Sequence, residues 1–189
     1  MGEPRGASDD ALTLVELLVY SLLLVGVMLI VGTIMISSLN IEQMVRTSTQ
    51  SASSAQLAAS SIESGVRNGT AVAVEHEGDD RVVLVRTAGS DPATVTWHCA
   101  AWYFSESAGT IRYSQSASDA SPITVPSSEP LDWALLASGV EAVESNEVFS
   151  FSGGTLTIEF QGTSDSMQPV LIKSSSVVRA GTWESASCF

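Results

Sequence analysis

From Leu12 to Ile41 the chain reads LTLVELLVYSLLLVGVMLIVGTIMISSLNI. Glu16 is its only charged residue, and the 25 residues from Leu17 to Ile41 carry no charge. Wound as an α-helix, that uncharged run reaches about 37 Å, enough to cross a hydrocarbon core of roughly 30 Å. A secretory signal core has about 7–15 apolar residues, closely followed by a small-residue cleavage site. This run is longer, and the nearest such site, Ser53-Ser54-Ala55, lies well beyond its end. The stretch therefore reads as a membrane-spanning helix. Glu16 sits near one end of it. A carboxylate deep in a bilayer costs about 2.5–3.5 kcal/mol and is expected to have a partner. Cleavage between Ala11 and Leu12 would create an α-amino group about one helical turn away.

The rest of the composition narrows the function classes. The chain has 189 residues, 44% of them hydrophobic and only 15% charged. That is one domain, or a small domain with an appendage. Eight basic residues face 21 acidic ones, for a net charge of −13. Such a balance excludes a broad nucleic-acid-binding surface, which must neutralise many phosphates. Two cysteines exclude a multiply bridged miniprotein. The mean hydropathy of +0.24 is high for an acidic chain, and the Leu12–Ile41 run accounts for it.

Beyond the run, Ile41, Val45, Ser48, Ala52, Ala55, Ala59, Ile62 and Val66 recur at spacings of four and three. That is the stripe of a one-sided helix. No proline stands between Pro4 and Pro92, and Asn68-Gly69 supplies a stop. One helix from Leu12 to about Asn68 is expected; two helices hinged around Ser37-Ser38 are the alternative. From Thr70 the period becomes two. Residues 70–77, 81–87, 94–104, 110–114, 148–151, 155–161 and 169–179 read as strands. Gly78-Asp79-Asp80, residues 105–109 and Ser152-Gly153-Gly154 read as hairpin connections. Leu156, Ile158 and Phe160 alternate with Thr157, Glu159 and Gln161, so one face of that strand is expected to be buried. Residues 114–129 read as an irregular surface loop, and residues 131–138 as a short helical turn ending at Gly139. The fold class expected is α+β: a long N-terminal helix, membrane-spanning in its first half, packed on an antiparallel β-sheet head.

The stretch Ala11-Leu12-Thr13-Leu14-Val15-Glu16-Leu17-Leu18-Val19 resembles the processing site of type IV prepilins and pseudopilins. That pattern is a small residue, a hydrophobic residue, Thr-Leu-hydrophobic-Glu, and a long apolar run. The resemblance implies cleavage at Ala11/Leu12 by a prepilin peptidase, N-methylation of Leu12, and Glu16 as the assembly residue. Ala11 stands where Gly is usual in the family. The leader holds Arg5 against Glu3, Asp9 and Asp10, so a cytoplasmic N-terminus is implied by the resemblance and not by the charges. The Trp97…Ile111-Arg112-Tyr113 hairpin, the LLASGV segment at 135–140 and the closing strands at 154–160 and 170–179 resemble the W-type minor pilins and the J-type pseudopilins of type II secretion.

The implied division is a leader at 1–11, a transmembrane and fibre-core helix at 12–41, its amphipathic continuation at 42–68, and an extracytoplasmic head at 69–189. The implied partners are other pilins or pseudopilins, the prepilin peptidase, an inner-membrane assembly platform, and the lipid bilayer before assembly. A head outside the cytoplasm lies where disulfides persist, so Cys99 and Cys188 are expected to be bridged, with two free thiols the alternative. After assembly the protein would be part of a filament at the cell surface.

No catalytic set is legible, and no cofactor is expected. His76, within Glu75-His76-Glu77, reads as solvated; His98, between Trp97 and Cys99, reads as a half-buried structural residue. Adjacent strand residues point to opposite faces, so His98 and Cys99 do not form a nucleophile–base pair. Asp79 with Asp80, and Glu141 with Glu144, lack the spacing of a calcium loop and read as solvated charge. The expected function is a non-enzymatic minor pilin or pseudopilin. The alternative is a permanently anchored surface binding module that never polymerises.

Overall fold

The structure, a computed structural model, describes residues 14–89, 94–143, 146–164, 167–178 and 187–189. The chain divides into two compact units, Met1–Val45 and Arg46–Phe189. One helix, α1 (Leu14–Arg67), contributes to both and runs without interruption through Ser37 and Ser38. The strands that follow are β1 (Gly69–Glu77), β2 (Asp80–Ala88), β3 (Trp97–Ser105), β4 (Thr110–Gln115), β5 (Ala134–Ser138), β6 (Val140–Ala142), β7 (Phe149–Ser152), β8 (Thr155–Ser164) and β9 (Met167–Val177). The expected α+β fold, a long N-terminal helix with antiparallel sheets, is the fold observed.

In the second unit, the first sheet has the order β1-β2-β3-β4-β5, each strand antiparallel to its neighbour. One face carries Val83, Val85, Ala100, Trp102, Phe104 and Ile111. These share a core with Ala55, Ala58, Ala59, Ile62 and Val66 of the helix. Small residues on that helix face let its backbone approach the strands closely. Ala58, absent from the expected stripe, is fully buried, so the contact is wider than a four-and-three spacing implies. The other face carries Val82, Leu84, Ala101 and Tyr103, covered by Ile123, Val125, Trp133 and Phe189. Burial on both faces explains why β2 and β3 are apolar at consecutive positions. The segment expected as a surface loop is irregular, but it also covers this second core.

The second sheet is built on β8. It pairs along its length with β9, and on its other edge with β7 and then β6. Leu156, Ile158 and Phe160 are fully buried, as the alternation implies. Phe104 and Phe149 meet edge-on across the sheets, with ring centroids 6.5 Å apart.

Residues 131–138 correct one expectation. They form no helical turn closed by Gly139: Ala134–Ser138 is β5, paired to β4, and Val140–Ala142 is β6 of the other sheet. Gly139 is the corner between them. Its φ is +68°, and a Cβ there would lie 2.7 Å from the Thr163 carbonyl oxygen. Thr163 donates its backbone N–H to the Gly139 carbonyl at 2.6 Å. A helix cap and a sheet-to-sheet corner both need a left-handed residue, so the glycine fits either reading.

Candidate functional site: the apolar helix and the disulfide-tied head

In the first unit, the described residues are helix whose large side chains face outward all round. Leu17, Leu18, Leu22, Met28, Ile34 and Ile36 are each more than half exposed. The most apolar window of α1 has a mean hydropathy of 2.7 and no buried residue. This is one helix long and apolar enough to cross a membrane. A helix apolar on every side has its low-energy environment in hydrocarbon. Three of its hydroxyls bond back within the helix: Ser21 donates to the Leu18 carbonyl at 2.9 Å, Thr33 to Ile30 at 2.8 Å and Ser38 to Ile34 at 2.9 Å. Such back-bonding suits a segment with no water to hydrogen-bond.

Glu16 lies in the first described turn of α1. Its Oε1 accepts a hydrogen bond from the Tyr20 hydroxyl, one turn on, at 3.1 Å. Ala11 and Leu12, the expected cleavage and methylation positions, lie outside the described residues.

In the second unit, Cys99 and Cys188 form a disulfide, with Cα atoms 5.4 Å apart and 89 residues apart in sequence. Both cysteines are buried. The bond holds Phe189 beside the second core cluster. Two ion pairs hold the covering segment over the same face of the first sheet. Arg86 in β2 grips Asp119 through Nε at 3.0 Å and Nη2 at 2.6 Å, while its guanidinium lies 4.4 Å from the centre of the Trp97 ring. Arg112 in β4 reaches Glu129 at 2.6 Å, and Thr110 donates to the same carboxylate oxygen at 2.7 Å. The Arg112 bond, followed by that of Thr110, holds the Glu129 carboxyl below the ordinary glutamate range.

The histidines stand apart from each other. His76 is exposed on β1, opposite Arg81. His98 is half-buried on β3, within 3.2 Å of the Ser116 carbonyl oxygen and 3.1 Å of the Thr96 hydroxyl. Among the described residues, no three His, Cys, Asp or Glu side chains converge as metal ligands. Asp80 differs from its expected role as solvated charge. It accepts from the Tyr103 hydroxyl at 2.6 Å and from the Glu106 backbone N–H at 2.9 Å, tying two hairpin ends together. Burial, then the Asp80 bond, raises the Tyr103 hydroxyl well above the usual tyrosine range. Glu141 is exposed and accepts from Gln161 at 3.2 Å; Glu144 lies outside the described residues.

Nothing local in the sequence marks the Arg86–Asp119, Arg112–Glu129 and Asp80–Tyr103 pairs. Their members are 17 to 33 residues apart and meet through sheet register. Compared with protein-family models, curated proteins and solved structures, the chain shows no match to any of the three.

Proposed function

We propose that this chain is a minor pilin or pseudopilin, a structural or assembly-initiating subunit of a type IV pilus-like or type II secretion-like filament, and not an enzyme. The observation that carries the reading is the part of α1 up to Ile41, apolar on every side, in which Glu16 is the one carboxylate. It follows the small-residue, hydrophobic, Thr-Leu-Val-Glu pattern at Ala11–Glu16. In this reading a prepilin peptidase cuts between Ala11 and Leu12 and methylates Leu12. The protein waits as a single-pass membrane protein. An inner-membrane assembly platform then moves it into a bundle of other pilins or pseudopilins, where Glu16 meets a neighbour's terminal amine. The buried Cys99–Cys188 bond supports an extracytoplasmic head, because disulfides persist in oxidising compartments. The permanently anchored binding module shares the helix and the disulfide but keeps its leader.

Intact-mass analysis separates the two. Protein extracted from membranes that contain an active prepilin peptidase should lack residues 1–11 and carry one added methyl. A full-length chain under those conditions removes the filament reading and leaves the anchored module.

A further inference from the structure

On the helix-facing side of the first sheet, α1 ends at Arg67 and a cavity of about 410 Å³ opens beside its last turn. Gly65 and Asn68 border it from the helix end, Thr87 from β2, Trp102 from β3, and Tyr113 and Gln115 from β4. No lining residue carries a charge, although the chain as a whole has a net charge of −13. The cavity has an aromatic wall. The Tyr113 ring is half-buried against Trp102, with centroids 5.2 Å apart. The Tyr113 hydroxyl donates to Gln115 Oε1 at 2.7 Å. That bond occupies the oxygen of the exposed Gln115 amide and leaves its two N–H groups without a partner among the described residues.

Each class of small ligand meets this lining differently. A charged ligand would give up its hydration and gain no counter-charge. Nucleotides and anionic lipids would also meet the repulsion of the acidic chain. A wholly apolar ligand would strip water from the Asn68 and Gln115 amides and return no hydrogen bond. A sugar ring has an apolar C–H face and a rim of hydroxyls, which match an aromatic wall flanked by amides. We propose that this cavity binds an uncharged pyranose residue of a glycan, with its C–H face on Tyr113 and its hydroxyls on Gln115 and Asn68. The site binds without chemistry and does not depend on the filament reading.

The test uses the full chain in a detergent without a sugar headgroup, since a maltoside would compete. Chitotriose, cellotriose and maltotriose are titrated by saturation-transfer NMR, with N-acetylneuraminic acid and AMP as charged comparators. The expected result is saturable binding of at least one neutral trisaccharide with Kd of about 1 mM, and weaker binding of both comparators. Gln115→Ala removes an exposed amide and should weaken binding about five- to tenfold, the effect of one or two lost hydrogen bonds. Tyr113→Ala should abolish it; if that variant fails to fold, Gln115→Ala decides. No saturable signal from any neutral probe up to about 20 mM, tighter binding of AMP than of all three sugars, or binding unchanged by Gln115→Ala would overturn the proposal.

Discussion

Trp102 donates its indole N–H to the Ser61 hydroxyl at 3.1 Å, and its six-membered ring fills the space that a side chain on Gly65 would occupy. The two contacts place the largest core side chain directly beneath the helix. Alanine is the better helix former by about 1 kcal/mol, so propensity favours Gly65→Ala. Packing opposes it, because the added methyl would overlap the buried ring, and overpacking costs typically about 1–3 kcal/mol. Trp102 is 2% exposed and bonded at its nitrogen, so packing should win. Gly65→Ala is expected to lower head stability by about 1–2 kcal/mol. Chemical denaturation followed by tryptophan fluorescence measures this; a stabilised variant would show that Trp102 moves aside freely.

Cys188→Ser should loosen the chain end that covers Val82, Leu84, Ala101 and Tyr103. Closing a loop of 89 residues contributes roughly 4–5 kcal/mol in the chain-entropy model, less where the unfolded chain keeps structure. The expected result is a large drop in denaturation midpoint and earlier proteolysis near the C-terminus. Wild-type protein treated with reductant should behave the same way. An unchanged midpoint in both would show that the bond is dispensable.

Glu129 should make the head acid-sensitive. Its carboxyl is held below the ordinary range by Arg112 and Thr110, so the folded state favours the ionised form. The resulting stability is fully present above the unfolded glutamate pKa of about 4.3, and is lost as pH falls through the lower folded value. The pair is partly solvated, so Glu129→Gln should cost about 1 kcal/mol near neutral pH. It should also flatten the acid limb of a stability–pH curve measured by urea unfolding. Parallel acid limbs in the two proteins would assign the sensitivity elsewhere.

Glu16→Ala tests the proposed assembly role. Removing a carboxylate eases membrane residence, so insertion should persist, as should cleavage five residues earlier. In a dry helical bundle the neighbour's amine would lose its counter-ion, and breaking a buried pair costs about 3–5 kcal/mol. The variant should therefore be retained in membranes and depleted from sheared surface fibres, with Glu16→Gln intermediate. Equal fibre yields for Glu16→Ala and wild type would remove the role.

The helix was legible because its causes are local. The apolar run, the absence of proline before Pro92 and the Asn68-Gly69 stop all act within a few turns, and α1 ends at Arg67 as they imply. Hairpins were legible for the same reason: Gly78-Asp79 and Gly153-Gly154 sit between alternating segments, and the strands pair directly across them. Composition limited the cysteines to one possible internal bond, Cys99–Cys188, and that bond is the one formed. Residues 134–138 could not be assigned from their own pattern, since a short apolar run before a glycine fits a helix end or a strand. Pairing with β4 settles it as strand. The three-residue β6 has no signal of its own and exists because β8 offers it a hydrogen-bonding edge. Asp80 looked solvated because its partner, Tyr103, comes from a different hairpin. Periodicity and turn chemistry act over a few residues and can be read along a chain; register, burial and long-range pairing depend on which surfaces meet once it has folded.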